Sequence, residues 1–224
     1  MKRWIYGIGF SLLAATLSGC GLFASPTHHT RILSGRNLRW KKPPAMSINV
    51  NKTYVAHFAT TAGDFQMTIF AKQDPVSANN FIFLANHHFF NGDTFFRLVK
   101  SFIVQAGDPL NLGTGGPGYS WNGSKEQPTV PYGPGIVAMA NSGSPTTNGS
   151  QFFICTGTES ELLNQNPVYT ELGRITQGLS VVQKISDGKV KLNPYVPLGN
   201  GRYEKSRPIH PVTIENVTID VKSS

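Results

Sequence analysis

Residues 95–108 read Phe95-Phe96-Arg97-Leu98-Val99-Lys100-Ser101-Phe102-Ile103-Val104-Gln105-Ala106-Gly107-Asp108. Phe95, Leu98, Val99, Phe102, Ile103 and Val104 favour strands and Lys100-Ser101 interrupts them, which predicts two β-strands joined by a short polar break. One arginine, Arg97, lies inside this apolar run. A guanidinium stays charged and needs acceptors wherever water is removed, so Arg97 has two readings. It is either an edge-strand residue paired with a surface carboxylate, or a cation placed for a purpose.

A second stretch repeats the pattern: Gly135-Ile136-Val137-Ala138-Met139-Ala140-Asn141-Ser142-Gly143, then Thr147-Asn148-Gly149-Ser150-Gln151-Phe152-Phe153-Ile154. It reads as a strand, a polar loop and a strand. Together the two stretches resemble the signature regions of the cyclophilin family of peptidyl-prolyl cis–trans isomerases. The first matches that family's F-H-R-hydrophobic-hydrophobic-x-x-F-hydrophobic-x-Q-G-G-D. The second matches its G-x-hydrophobic-x-M-A-N-x-G and N-x-S-Q-F-F-hydrophobic. The resemblance runs from about Tyr54 to Val221, and it is the combination that is specific.

Composition sets the frame. The 224 residues, 39% of them hydrophobic, suffice for one sizeable core, and 23 glycines and 15 prolines favour a β-rich fold with many turns. The formal charge is +8. Taking Lys2 and Arg3 from the 20 basic residues leaves 18 against 12 acidic ones, or +6. These cations are scattered and form no stripe interleaved with aromatics, so nucleic-acid binding is not expected. None of the histidines (His28-His29, His57, His87-His88, His210) stands at zinc-like spacing, so neither metal nor cofactor is expected.

The amino terminus carries an address. Lys2-Arg3 and the apolar run 4–17 have the layout of a secretory signal, and the run is short for a membrane span. Leu17-Ser18-Gly19-Cys20 resembles the lipobox of bacterial lipoproteins, which implies cleavage before Cys20 and lipidation of its sulfur. The expected organisation is therefore a signal peptide over 1–19, a lipid-anchored tether over 20–52 and an isomerase domain over 53–224. Such a protein would be exported and held at the outer face of the cell membrane or in the periplasm-facing envelope. Cys155, the other cysteine, lies in a strand pattern and reads as a buried, inert thiol.

Along the domain, 54–60 and 65–70 flank a turn and predict a hairpin. Asp74-Pro75 precedes helical spacing over 76–85, with Asp74 as the cap. Residues 107–134 read as a long irregular crossing, 172–176 as a strand, 178–185 as an amphipathic helix, 187–211 as a polar loop and 212–221 as a closing strand. Ile48-Asn49-Val50 offers a possible extra strand. The order is ββαβββββαβ. Periodicity alone supports a closed or sandwiched β fold. The resemblance implies a closed eight-stranded antiparallel β-barrel capped by two α-helices.

The resemblance also implies a site. Arg97 would donate a hydrogen bond to the proline nitrogen, and Gln105 and Gln151 would both bond the substrate and orient Arg97. Phe102, Ile103, Phe153 and Leu162 would line the proline-ring pocket. Ala140 and Asn141 would offer polar groups to an extended peptide, and Tyr169 would fill the place of the family's pocket histidine. Partners would be proline-containing segments of exported proteins, bound by a monomer. Leu162 stands where the family commonly has Trp or Phe, which implies reduced affinity for cyclosporin. Phe96 replaces a histidine and Ala106 a glycine. A non-catalytic proline-peptide-binding or chaperone module using the same groove is the alternative reading.

Overall fold

The structure, a computed structural model, describes residues 38–123 and 130–222. The signal segment, Cys20 and the first part of the tether lie outside the described residues. Thr53–Thr60 (β1) and Phe65–Ile69 (β2) form the expected hairpin. The first helix, Pro75–Asn86 (α1), begins where Asp74 accepts a hydrogen bond from the Ser77 backbone N–H at 2.9 Å, with Pro75 in its first turn. The break at Lys100-Ser101 separates Arg97–Val99 (β3) from Ile103–Ala106 (β4), and Ser101 takes a positive φ of 58° there.

The second stretch gives Ile136–Met139 (β5) and Phe152–Cys155 (β6). Glu171–Gln177 (β7) and the helix Leu179–Ser186 (α2) follow, with Val182 and Ile185 of the helix buried. Residues 187–211 differ from expectation. They hold Val190–Gly199 (β8) and Arg202–Pro208 (β9), an antiparallel hairpin closed by Asn200-Gly201. Asn200 and Gly201 have φ of 53° and 70°, the left-handed pair that a tight two-residue hairpin turn requires. Ile214–Lys222 (β10) completes the chain.

Eight strands form one antiparallel sheet in the order β10-β1-β2-β7-β5-β6-β4-β3, and β8-β9 is separate. The barrel is not closed, contrary to the sequence reading. No strand ladder joins β3 to β10 among the described residues; the two ends approach only through an isolated bridge between Thr94 and Thr213. The short β3 has just three residues, and all three pair with β4. Instead β9 packs alongside it, covering an edge that would otherwise be exposed.

Strand alternation splits the interior in two. Val104, Ala106, Val137, Met139, Phe152 and Ile154 face the main core with α1. Phe152 is the hinge of an aromatic cluster, with ring centroids 5.9 Å from Phe58, 5.9 Å from Phe81 and 5.7 Å from Phe90. Ile103, Ile136, Ala138, Phe153 and Cys155 face outward, into a second buried cluster with Tyr132, Leu163 and Tyr169. Thus β4, β5 and β6 are buried on both faces.

Residues 38–52, the described part of the segment expected to be a tether, are docked on the domain. Trp40 stands 5.2 Å from the Phe83 ring of α1, and Ser47 donates to Asn79 Oδ1 at 2.9 Å. Ile48 packs on the main core without joining any ladder. Among the described residues, no helix is long and apolar enough to cross a membrane.

Phe152→Ala removes the ring that joins Phe58, Phe81 and Phe90, so a loss of about 3–5 kcal/mol is expected in urea unfolding. A loss below about 1 kcal/mol would show that the cluster collapses around the cavity.

Candidate active site

Register places Arg97 opposite Gln105 across β3 and β4, and Gln105 opposite Phe153 across β4 and β6. All three side chains therefore lie on the outward face, beside the second cluster. Arg97 is only 6% exposed. Its Nη1 donates to Gln105 Oε1 at 3.3 Å. Gln105 Nε2 donates to Gln151 Oε1 at 3.0 Å, and Gln151 Nε2 donates to the Gly115 carbonyl at 2.9 Å.

That relay ends on a loop built around Asp108, which is fully buried. Its carboxylate accepts from the backbone N–H groups of Leu110 (2.7 Å), Leu112 (3.1 Å), Gly113 (2.5 Å) and Thr114 (2.9 Å). Gly107 leads into this loop with a φ of 86°. A Cβ there would sit 2.4 Å from the Ser150 carbonyl oxygen, so only glycine fits.

The other partner of Arg97 comes from the unexpected hairpin. Glu204 on β9 takes the guanidinium side-on: Nε donates to Oε2 at 2.6 Å and Nη2 to Oε1 at 2.8 Å. The two side chains are 8% and 14% exposed. The surface ion pair that the sequence suggested is thus a buried one, 107 residues apart in the chain. Burial pushes the Glu204 carboxyl up, but hydrogen bonds from Arg97, its charge, and a hydrogen bond from Ser206 outweigh this and hold it below the ordinary 4.5.

Of the other expected residues, Ile103 and Phe153 are buried and Phe102 packs partly against them. Tyr169 meets Phe153 edge-on, ring centroids 5.2 Å apart. Burial pushes its hydroxyl up to about 12 against the lowering effect of the Arg97 charge, so it stays a neutral phenol. Tyr132, which sequence reading passed over, fixes the backbone of Tyr169: its hydroxyl donates to the Tyr169 carbonyl and accepts from the Tyr169 N–H at 3.1 Å.

Leu162 does not join this cluster. It is 58% exposed, whereas Leu163 is 9% exposed and packed inward. Both lie in the 3-10 segment Thr158–Gln165, whose roughly three residues per turn send neighbours to different sides. Asn141 uses its own amide on the loops: Nδ2 donates to the Val168 carbonyl at 3.0 Å and Oδ1 accepts from Gly143 N–H at 3.0 Å. The Ala140 N–H donates to the Gln151 carbonyl at 2.9 Å. Cys155 is fully buried, which raises its thiol to about 12. Among the described residues, no three His, Cys, Asp or Glu side chains gather as metal ligands.

These features agree with comparison to known proteins. The family described as cyclophilin type peptidyl-prolyl cis-trans isomerase/CLD matches residues 55–219. The chain belongs to this family. It is 34% identical over 164 residues to peptidyl-prolyl cis-trans isomerase-like 3 of Gallus gallus, covering 71% of this chain and 92% of that protein. It is 36% identical over 174 residues to peptidylprolyl isomerase domain and WD repeat-containing protein 1 of Mus musculus, covering 76% of this chain. The match spans only 24% of that longer relative. A crystal structure of a Cryptosporidium parvum cyclophilin type isomerase superposes with a TM-score of 0.61 at 28% identity, covering 76% of this chain and 99% of that one. A second, determined in the presence of the dipeptide Ala-Pro, gives 0.59 at 29% identity, covering 74% and 98%.

The lowered pKa of Glu204 sets a pH window. Its contribution to stability is fully present above 4.5 and is lost as pH falls through the lower value of the folded state. The difference in Tm between wild type and Glu204→Gln is therefore expected to stay constant from about pH 8 to 6 and to shrink only in acid, below about pH 4.5. A difference that closes between about pH 7 and 5 would contradict the pairing.

Proposed function

We propose that the chain is a peptidyl-prolyl cis–trans isomerase in which Arg97 stabilises the twisted amide. The observation that carries this is a fixed guanidinium beside an apolar surface. Of its five N–H bonds, three donate to Glu204 and Gln105, which leaves two for a substrate. Isomerisation has a barrier of roughly 18–20 kcal/mol because amide resonance must be broken. In the twisted state the proline nitrogen regains its lone pair and accepts a hydrogen bond. In the planar state it accepts poorly. A donor held at that nitrogen therefore binds the transition state better than the ground state.

The proline ring would sit against Phe102, the part-exposed member of this face, with Ile103, Phe153 and Tyr169 buried behind it and Leu162 at the exposed rim. An extended peptide would run along Gln151, Ala140 and Asn141, using groups other than the Ala140 N–H, which is donated to the Gln151 carbonyl. The Ala-Pro dipeptide used with the Cryptosporidium parvum protein supports an X-Pro segment as the substrate class. No step needs a metal or a covalent intermediate.

We also propose that the domain is lipid-anchored through Cys20 and serves exported proteins, whose X-Pro bonds otherwise isomerise in tens of seconds or longer. The support is the order of charged start, apolar run and Leu17-Ser18-Gly19-Cys20. Metabolic labelling with a fatty acid is expected to mark wild type and not Cys20→Ala; equal labelling of both would remove the anchor.

In a protease-coupled assay on a proline peptide, Arg97→Ala is expected to lower kcat/KM by about a hundredfold, with Arg97→Lys in between, since a lysine lacks the planar fork. Wild type that does not exceed the uncatalysed rate would leave only the peptide-binding reading.

A further inference from the structure

The β8-β9 hairpin contributes to this face a side chain that the signature stretches do not contain. We propose that Glu204 is a positioning residue for the isomerase reaction, acting through Arg97. The proposal rests on the isomerase reading above and adds the hairpin to its machinery.

The geometry is specific. Glu204 meets the Nε–Nη2 edge of Arg97 with both carboxylate oxygens, at 2.6 and 2.8 Å. A side-on bidentate pair fixes both the plane and the rotation of a guanidinium, which a single contact does not. Gln105 meets Nη1 at 3.3 Å, a long and weaker hold. The orientation of Arg97 therefore depends chiefly on Glu204.

Glu204 is itself held. Ser206, fully buried two residues on, hydrogen-bonds its carboxylate and accepts from Asn193 Nδ2 on the paired strand at 3.2 Å. Asn193 is 2% exposed. The Asn193–Ser206 hydrogen bond thus braces the two strands of the hairpin beside the Glu204–Arg97 pair. Its neighbours Arg202, Tyr203 and Lys205 are exposed, so Glu204 is the residue of this stretch that turns to Arg97.

A carboxylate also weakens the positive field that stabilises the twisted amide. The two effects have opposite signs, so experiment separates them. Positioning predicts that removing Glu204 slows turnover; a dominant field effect predicts that turnover rises. Glu204 occupies the Nε–H and one Nη2–H, and the two remaining N–H bonds, one on each Nη, are not the ones it holds, so peptide affinity should change little.

Glu204→Ala and Glu204→Gln are measured in the full chain with a proline peptide. The expected result is a fall in kcat/KM of about tenfold or more for Glu204→Ala and a smaller fall for Glu204→Gln, carried by kcat with KM within about threefold. In an Arg97→Ala background, Glu204→Ala should cost less than about twofold, because its effect passes through the arginine. Removing Glu204 alone leaves an uncompensated buried cation. The double variant should therefore regain part of the Tm lost by Glu204→Ala, which separates a damaged fold from a misplaced arginine. Unchanged or raised kcat/KM in both single variants, or an equal loss in the Arg97→Ala background, would overturn the proposal. The Arg97 Nε–H signal in 15N NMR reports position without turnover. Its solvent exchange should quicken by about tenfold in Glu204→Gln, and unchanged exchange would overturn the proposal even if wild type proved inactive as an isomerase.

Discussion

A guanidinium out of water keeps its place only when its N–H bonds are met, and the arrangement of this molecule around Arg97 follows from that need. Three elements far apart in the chain supply the acceptors: Gln105 from the facing strand, Glu204 from the β8-β9 hairpin, and, one step removed, Gln151 between strands β5 and β6. Each is fixed in turn, Gln151 by the Asp108-centred loop and Glu204 by Ser206. Remove the arginine and these polar groups are left inside an apolar face; remove an acceptor and a buried charge loses compensation.

The double burial of β4, β5 and β6 explains why the site has so little slack. One face of these strands is locked into the aromatic core through Phe152, and the other sets Ile103 and Phe153 in the second cluster with Gln105 beside Arg97. A one-residue slip would exchange the two faces, placing Gln105 in the core and Phe152 at the surface. Register in the core therefore guarantees register at the site. Tyr132 adds a local brace, holding both backbone polar groups of Tyr169 so that its ring stays against Phe153.

Much of the fold was legible from residues 95–108 and 135–154, because strand alternation, the Lys100-Ser101 break and the Asp74-Pro75 cap are local signals. The hairpin was not. Prolines at 194, 197 and 208 and repeated register shifts erase its alternation, and only Asn200-Gly201 marks it. Openness was illegible too, since closure depends on whether the three-residue β3 meets β10 in space. At the site, the pairing of Arg97 with Gln105 follows from strand register, whereas Glu204 lies 107 residues from Arg97, in a segment whose sequence reads as polar loop. A single acid among Lys189, Lys191, Arg202, Lys205 and Arg207 was the available hint. That Leu162 points outward and Leu163 inward depends on the 3-10 turn that carries them, which no local sequence signal announced.

The chain belongs to the cyclophilin-type family, and the held guanidinium of Arg97 suits the isomerisation proposed for it. The most direct test uses two-dimensional NMR exchange spectroscopy on an Ala-Pro-containing peptide with a catalytic amount of the wild-type chain. Exchange cross-peaks between the cis and trans signals should appear on the sub-second scale, where the uncatalysed peptide shows none because it takes tens of seconds or longer. Spectra without cross-peaks, at protein concentrations that shift the peptide signals by binding, would contradict catalysis by Arg97.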